Sequence, residues 1–214
     1  MGLFTKKTHP LTVGYRSVAT DGGPDQVLTM TNNTDSDLVP ILRLRPLDLR
    51  GRELPLTSVR SVQGITRGQV VVPAHSSTRD VLRFDGPGCR QVHFVDTEVV
   101  DLIELDPPSE LPITPTAVMV NLDKKFVGDP ADFWGIGLAN DNEAEMRVRV
   151  SLLELEPPHT DKRLREAPRQ AVDWVSLEGD VLLGPRDNDV VWLPDDLRGK
   201  YHAVIGSVAA PPLD

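Results

Sequence analysis

Apolar side chains recur at every second position along much of this chain, and that spacing restricts its fold more than any other feature. In Met146-Arg147-Val148-Arg149-Val150-Ser151-Leu152 the apolar residues alternate with polar ones, which places them on one face of an extended strand. The alternation loses phase at Leu152-Leu153, where a bulge or a strand buried on both faces restores sense. Comparable segments fall at about 11–19, 26–32, 38–48, 68–73, 78–84, 91–105, 113–122, 133–140, 171–177, 181–184, 188–193 and 200–209. The 19 Pro and 16 Gly punctuate these runs, since both residues interrupt helices and strands. The charged stretch Thr160 to Gln170 is bracketed by Pro157, Pro158 and Pro168 and is expected to be a loop. These patterns predict an all-β chain.

An internal repeat sharpens the expectation. Leu28, Met30, Asn32, Leu38, Leu42, Leu44 and Leu47 align with Ile136, Leu138, Asn140, Met146, Val150, Leu152 and Leu155 at a spacing of about 108 residues. With one extra residue, Asp80-Val81-Leu82 aligns with Asp189-Val190-Val191, and His93 and Val95 with His202 and Val204. Any two hairpins share some of this, because turns favour Asn and strands favour Val and Leu. Agreement of phase over separated blocks favours duplication. Asp106-Pro107-Pro108-Ser109-Glu110-Leu111-Pro112 reads as a stiff connector. The expected organisation is two tandem antiparallel β-sandwich (immunoglobulin-like) domains, 1–106 and 113–214, joined by a Pro-rich linker at 107–112. A single cysteine, Cys89, excludes an internal disulfide and the Cys-Trp-Cys pattern of antibody domains.

The run Val27-Leu28-Thr29-Met30-Thr31-Asn32-Asn33-Thr34-Asp35-Ser36-Asp37-Leu38, with Leu42, Leu44, Asp48, Gly51 and Glu53-Leu54 following, resembles the strand, Asn turn and strand of bacterial immunoglobulin-like modules of the FxLYD type. The resemblance implies a binding or spacer domain and carries over no catalytic residue.

A net charge of −9 opposes nucleic acid or an anionic membrane surface as the main partner, while leaving room for a local basic patch. Residues 111–214 are the acidic half, with 18 Asp+Glu against 11 Lys+Arg. The start Met1-Gly2-Leu3-Phe4-Thr5-Lys6-Lys7 leads into no apolar run of signal-peptide length, so a cytoplasmic location is expected.

Asn140, Asp141, Asn142, Glu143 and Glu145 concentrate oxygen ligands in one turn and form the best calcium candidate, although their spacing is not that of an EF-hand. The competing reading is a polar turn whose Asn and Asp side chains cap their own backbone. His9, His75, His93, His159 and His202 form no zinc-binding pair. Cys89, between glycines and Arg90, reads as a small residue at a strand entry rather than a nucleophile. Trp134, Trp174 and Trp192 all fall in the second half. Trp134 and Trp192 lie in apolar strand patterns that suit a core, and Trp174 beside Asp173 is the freest to act as a stacking platform.

No phosphate-binding loop, nucleophile elbow or dinucleotide fingerprint occurs. The expectation is a non-enzymatic interaction, scaffold or assembly protein, without cofactor, that binds a protein partner or another copy of itself. A phage-derived or other large assembly is one setting for such modules. The alternatives are a carbohydrate-binding module using Trp174 and Trp134, and a hydrolase with acidic residues and His93 or His202 between the domains.

Overall fold

The computed structural model describes residues 9–19, 24–106, 108, 110–157 and 168–211. The segment at Leu152-Leu153 resolves as a strand buried on both faces. Met146, Val148, Val150 and Leu152 enter one apolar cluster, while Leu153 and Leu155 enter another on the opposite side.

The described residues are all-β. Their strands are β1 (Leu11–Arg16), β2 (Val27–Asn32), β3 (Asp37–Leu47), β4 (Ser58–Ser61), β5 (Ser77–Asp85), β6 (Phe94–Leu105), β7 (Thr116–Val120), β8 (Gly135–Ala139), β9 (Met146–Leu155), β10 (Ala171–Ser176), β11 (Val181–Leu183), β12 (Asn188–Trp192) and β13 (Ala203–Val208). The helical residues among them lie in single 3-10 turns. No described helix is long and apolar enough to cross a membrane.

All the pairings are antiparallel, and the two halves run the same sequence of them. In the first, β1-β2-β5 form a ladder and β3 pairs with β6; in the second, β7-β8-β12 form a ladder and β9 pairs with β13. The Leu38–Val72 bridge has its counterpart in the pairing of Met146 with Leu183. The fourth strand departs from this scheme, because β4 extends the ladder at β5 whereas β10 joins β9.

With β2 and β3 superposed on β8 and β9 as in the first block of the sequence alignment, the pairings place the second block differently. Thr31 stands opposite Ser77 and Ala139 opposite Asn188, so Asp80 corresponds to Val191. Leu44 stands opposite Thr97 and Leu152 opposite Val204, so His202 corresponds to Val95 and not to His93. The sequence alignment is slipped by two residues in each strand. Such a slip keeps every side chain on its own face, so alternation cannot reveal it.

Leu28, Met30, Leu38, Leu42, Ile65 and Leu82 fill the first half. Met119, Ile136, Leu138, Met146, Val148 and Leu152 fill the second, where Val39 and Val71 from the first half and Leu111 from the expected linker join them. A third cluster is the seam, formed by Val27, Val62 and Val81 against Leu153, Leu155 and Ala171. Segment 68–73, expected as a strand, makes only single bridges, Val72 to Leu38 and Val70 to Ala209. It crosses between the halves, with Val71 N–H donating to the Val208 carbonyl at 3.0 Å. Both apolar burial and backbone hydrogen bonds therefore fix one half against the other.

Candidate functional site

The longest strand, β6, has an unpaired edge. It pairs only with β3 among the described residues, so the backbone donors and acceptors on its other edge have no strand partner there. Phe94 is 51% exposed, Val99 44% and Val100 50%. The ladder shifts register between Ile41 and Leu42, which leaves Val100 without an opposite residue. On one face Arg43 pairs with Glu98 at 3.1 Å and Arg45 with Asp96 at 2.8 Å; exposed pairs of this kind contribute little to stability. Asp101 and Glu104 add two carboxylates without an ion-pair partner among the described residues. Bulges and charges are the usual means of protecting an open edge from like strands. The bulge at Val100 and the carboxylates along β6 are features of this kind.

The residues singled out for calcium are arranged otherwise. Asn140 and Asn142 are buried. Asn140 Nδ2 donates to the carbonyls of Ala144 and Gly184, both at 2.8 Å, and its Oδ1 accepts from Asn142 N–H at 3.0 Å. Asn142 exchanges hydrogen bonds with the backbone of Ile113. Glu143 pairs with Arg186 at 2.8 Å, and Asp141 and Glu145 are exposed. The turn is thus held by its own amides. Asn32 does the same in the first half, donating to Ser36 and Val72 carbonyls at 2.7 and 2.9 Å and accepting from Thr34 N–H at 2.9 Å. Among the described residues no three of His, Cys, Asp and Glu are grouped to hold a metal ion.

The tryptophans divide differently from expectation. Trp134 is half-buried with the Arg198 guanidinium 4.3 Å from its ring centroid, and Trp174 is half-buried with Arg83 at 5.7 Å. Trp174 also packs on the seam. Each ring thus has a guanidinium from this chain over one face. Trp192, expected in the core, is 44% exposed, because its strand turns that position to the outer face of the β7-β8-β12 sheet. On the same face Gly137, Val118 and Val190 line a shallow groove of about 380 Å³.

The other chemistry-bearing groups are structural in their contacts. His93 is exposed, while half-buried His202 accepts the Leu155 N–H at Nδ1, 3.3 Å away. Cys89 opens the 3-10 turn Cys89–Gln91 and packs against the first core. Asp80 is fully buried, accepting from Ser61 Oγ at 2.6 Å and from the N–H of Gln63 at 2.8 Å. Burial pushes its pKa above the ordinary carboxylate value and outweighs these hydrogen bonds, which pull it down. Burial, with the charge of Asp25 second, likewise raises the pKa of Tyr15 above the usual phenol range. Lys200 holds Asp173 below the usual value through a 2.7 Å contact.

The open β6 edge was missed in the sequence, although the run Phe94-Val95 through Val99-Val100 already departs from strict alternation. No family model, curated protein or solved structure matches this chain.

Proposed function

We propose that this protein is a non-catalytic interaction module of a larger protein assembly, which takes up an extended basic segment of a partner protein along the free edge of β6. The observation that carries this reading is the edge itself: a 12-residue strand paired on one side, with exposed Phe94, Val99 and Val100 among carboxylates. Strand addition draws its affinity from main-chain hydrogen bonds and its specificity from alternate side chains. Asp101 and Glu104 supply a preference for Lys and Arg. The buried side chains of Asn32, Asn140, Gln63 and Asp80 are committed to hydrogen bonds that hold the backbone, which agrees with a scaffold role. The repeated strand order of the two halves is what a duplicated spacer module would leave.

Affinity capture from the native source with the wild-type chain and a Phe94→Ser/Val100→Lys variant tests the reading. Both residues are exposed, so the variant is expected to fold. A partner held by the wild type and lost from the variant supports it; equal recovery with both, or no partner with either, refutes it.

A further inference from the structure

We infer that the seam between the halves contains a binding site for a phosphoryl dianion, walled by Arg67 from the first half and Arg147 and Arg149 from the second. Two adjoining cavities of about 320 Å³ each lie there and share Arg67, Gln69, Arg149 and Asp180 as lining residues. Arg147 lines the first of them.

The three arginines differ in how they are used. Arg149 is committed: its Nε donates to Asp180 at 3.2 Å and its Nη1 to the Gln69 carbonyl at 3.3 Å. Its side chain is 23% exposed and that of Asp180 19%, so this pair forms the floor of the groove. Arg67 and Arg147 are exposed, and neither guanidinium has an acidic partner or a hydrogen-bond acceptor among the described residues. The chain as a whole carries a net charge of −9, so this local excess of positive charge runs against its overall sign.

Both arginines stand on firm supports. Arg67 ends a 3-10 turn, Ile65–Arg67, held between Gly64 and Gly68, whose φ angles of 87° and 64° lie in the left-handed region that favours glycine. Arg147 lies in β9, opposite Leu182, and its carbonyl accepts from Ala209 N–H at 2.9 Å. The supports belong to opposite halves and are themselves linked across the seam, since Ala210 N–H donates to the Gln69 carbonyl at 3.2 Å.

Charge and donor count indicate the ligand. Among the described residues, three guanidiniums against the Asp180 carboxylate leave two positive charges in excess. A phosphate monoester carries about −1.5 to −2 near neutral pH and accepts through three oxygens, so one phosphoryl group neutralises the groove. A single carboxylate leaves it half compensated. Each free guanidinium presents a planar fork that suits two phosphoryl oxygens. With walls from both halves, an occupant also stiffens the seam.

The test is the melting temperature, followed by intrinsic tryptophan fluorescence, in inorganic phosphate, in phenyl phosphate and in chloride at equal ionic strength. Either phosphate is expected to raise the melting temperature above the chloride value, since a ligand bound only by the folded state stabilises it. If phenyl phosphate acts at lower concentration than inorganic phosphate, the ligand is an organic monoester; the reverse order indicates free phosphate. Arg67→Gln and Arg147→Gln are each expected to weaken the effect by about tenfold in concentration, and Arg90→Gln, at the distant Glu156 pair, to leave it unchanged. Melting temperatures that are equal in phosphate and chloride overturn the proposal. So does a phosphate effect that survives both substitutions in the groove.

Discussion

Ser207 Oγ donates to Gln63 Oε1 at 3.0 Å, joining residues from opposite halves inside the seam. Gln63 is fully buried, and its Nε2 donates onward to the Ile205 carbonyl at 3.0 Å. One amide thereby satisfies a hydroxyl and a backbone acceptor of β13, and the Gln63 N–H is held by Asp80.

Replacing Gln63 with Ala leaves the Ser207 hydroxyl without its partner in a buried place, and takes the side-chain donor from the Ile205 carbonyl, which keeps its place in the ladder of β9 and β13. Stranding a buried polar group costs about 1–3 kcal/mol, so a loss of about 2 kcal/mol is expected in chemical denaturation. Gln63→Glu is expected to be worse, because it places a carboxylate against the Ile205 carbonyl. Denaturation midpoints unchanged in both variants would show that the halves do not depend on this link.

Asn32 and Asn140 allow a paired experiment. Each donates to two backbone carbonyls and accepts a backbone N–H two residues on. Asn→Ala at either site should cost about 2–4 kcal/mol. Asn→Asp, nearly isosteric but an acceptor only, should cost at least as much, because it turns a carboxylate oxygen towards two carbonyls. Thermal melts of the four variants check this. A tolerated Asp at position 140 together with calcium-dependent stabilisation would restore the cation reading of that turn.

Much of the strand order was legible because half-buried strands state their faces in the sequence, as Met146 to Leu152 do. What escaped has physical reasons. β4, with the sequence Ser58-Val59-Arg60-Ser61, has no apolar alternation, and its one buried residue, Ser61, is there for its hydroxyl, which Asp80 holds. Val70, Val71 and Val72 read as a strand but bury themselves in turn between two cores. The groove arginines are 80 positions apart in the sequence and look like the solvated face of a strand and a turn. Only tertiary pairing brings Arg67 to Arg147. The open edge of β6 was equally hidden, since a sequence shows which residues are extended and not which strands lack a neighbour.

The raised pKa of Asp80 sets a pH dependence of known sign. Its folded-state value lies above the ordinary 3.8, so between these two values the folded chain holds more protons than the unfolded one. Stability from this group is therefore greatest at low pH and is lost as pH rises from 3.8 through the folded-state value. Asp80→Asn removes the titration while retaining a carbonyl acceptor for the Gln63 N–H. Urea denaturation of both proteins from roughly pH 4 to pH 8 should show the wild type losing ground to the variant as pH rises. A difference that is constant across that range, or that moves the other way, contradicts burial as the dominant influence on this carboxylate.

Leu152 and Leu153 are adjacent, both fully buried, and belong to different cores. Truncation to Ala should cost a similar amount at each, about 2–5 kcal/mol according to how far the cavity collapses, but the cost should appear in different places. Leu152 packs within the second half, so Leu152→Ala should speed amide exchange along β8 and β9 there. Leu153 packs across the seam, so Leu153→Ala should speed exchange first at the links between the halves, Val71 N–H to Val208 and Ala210 N–H to Gln69. Exchange followed by mass spectrometry at peptide resolution separates the two patterns. If both variants accelerate the same peptides, the seam and the second core form one cooperative unit, and the halves unfold as a single body despite their repeated strand order.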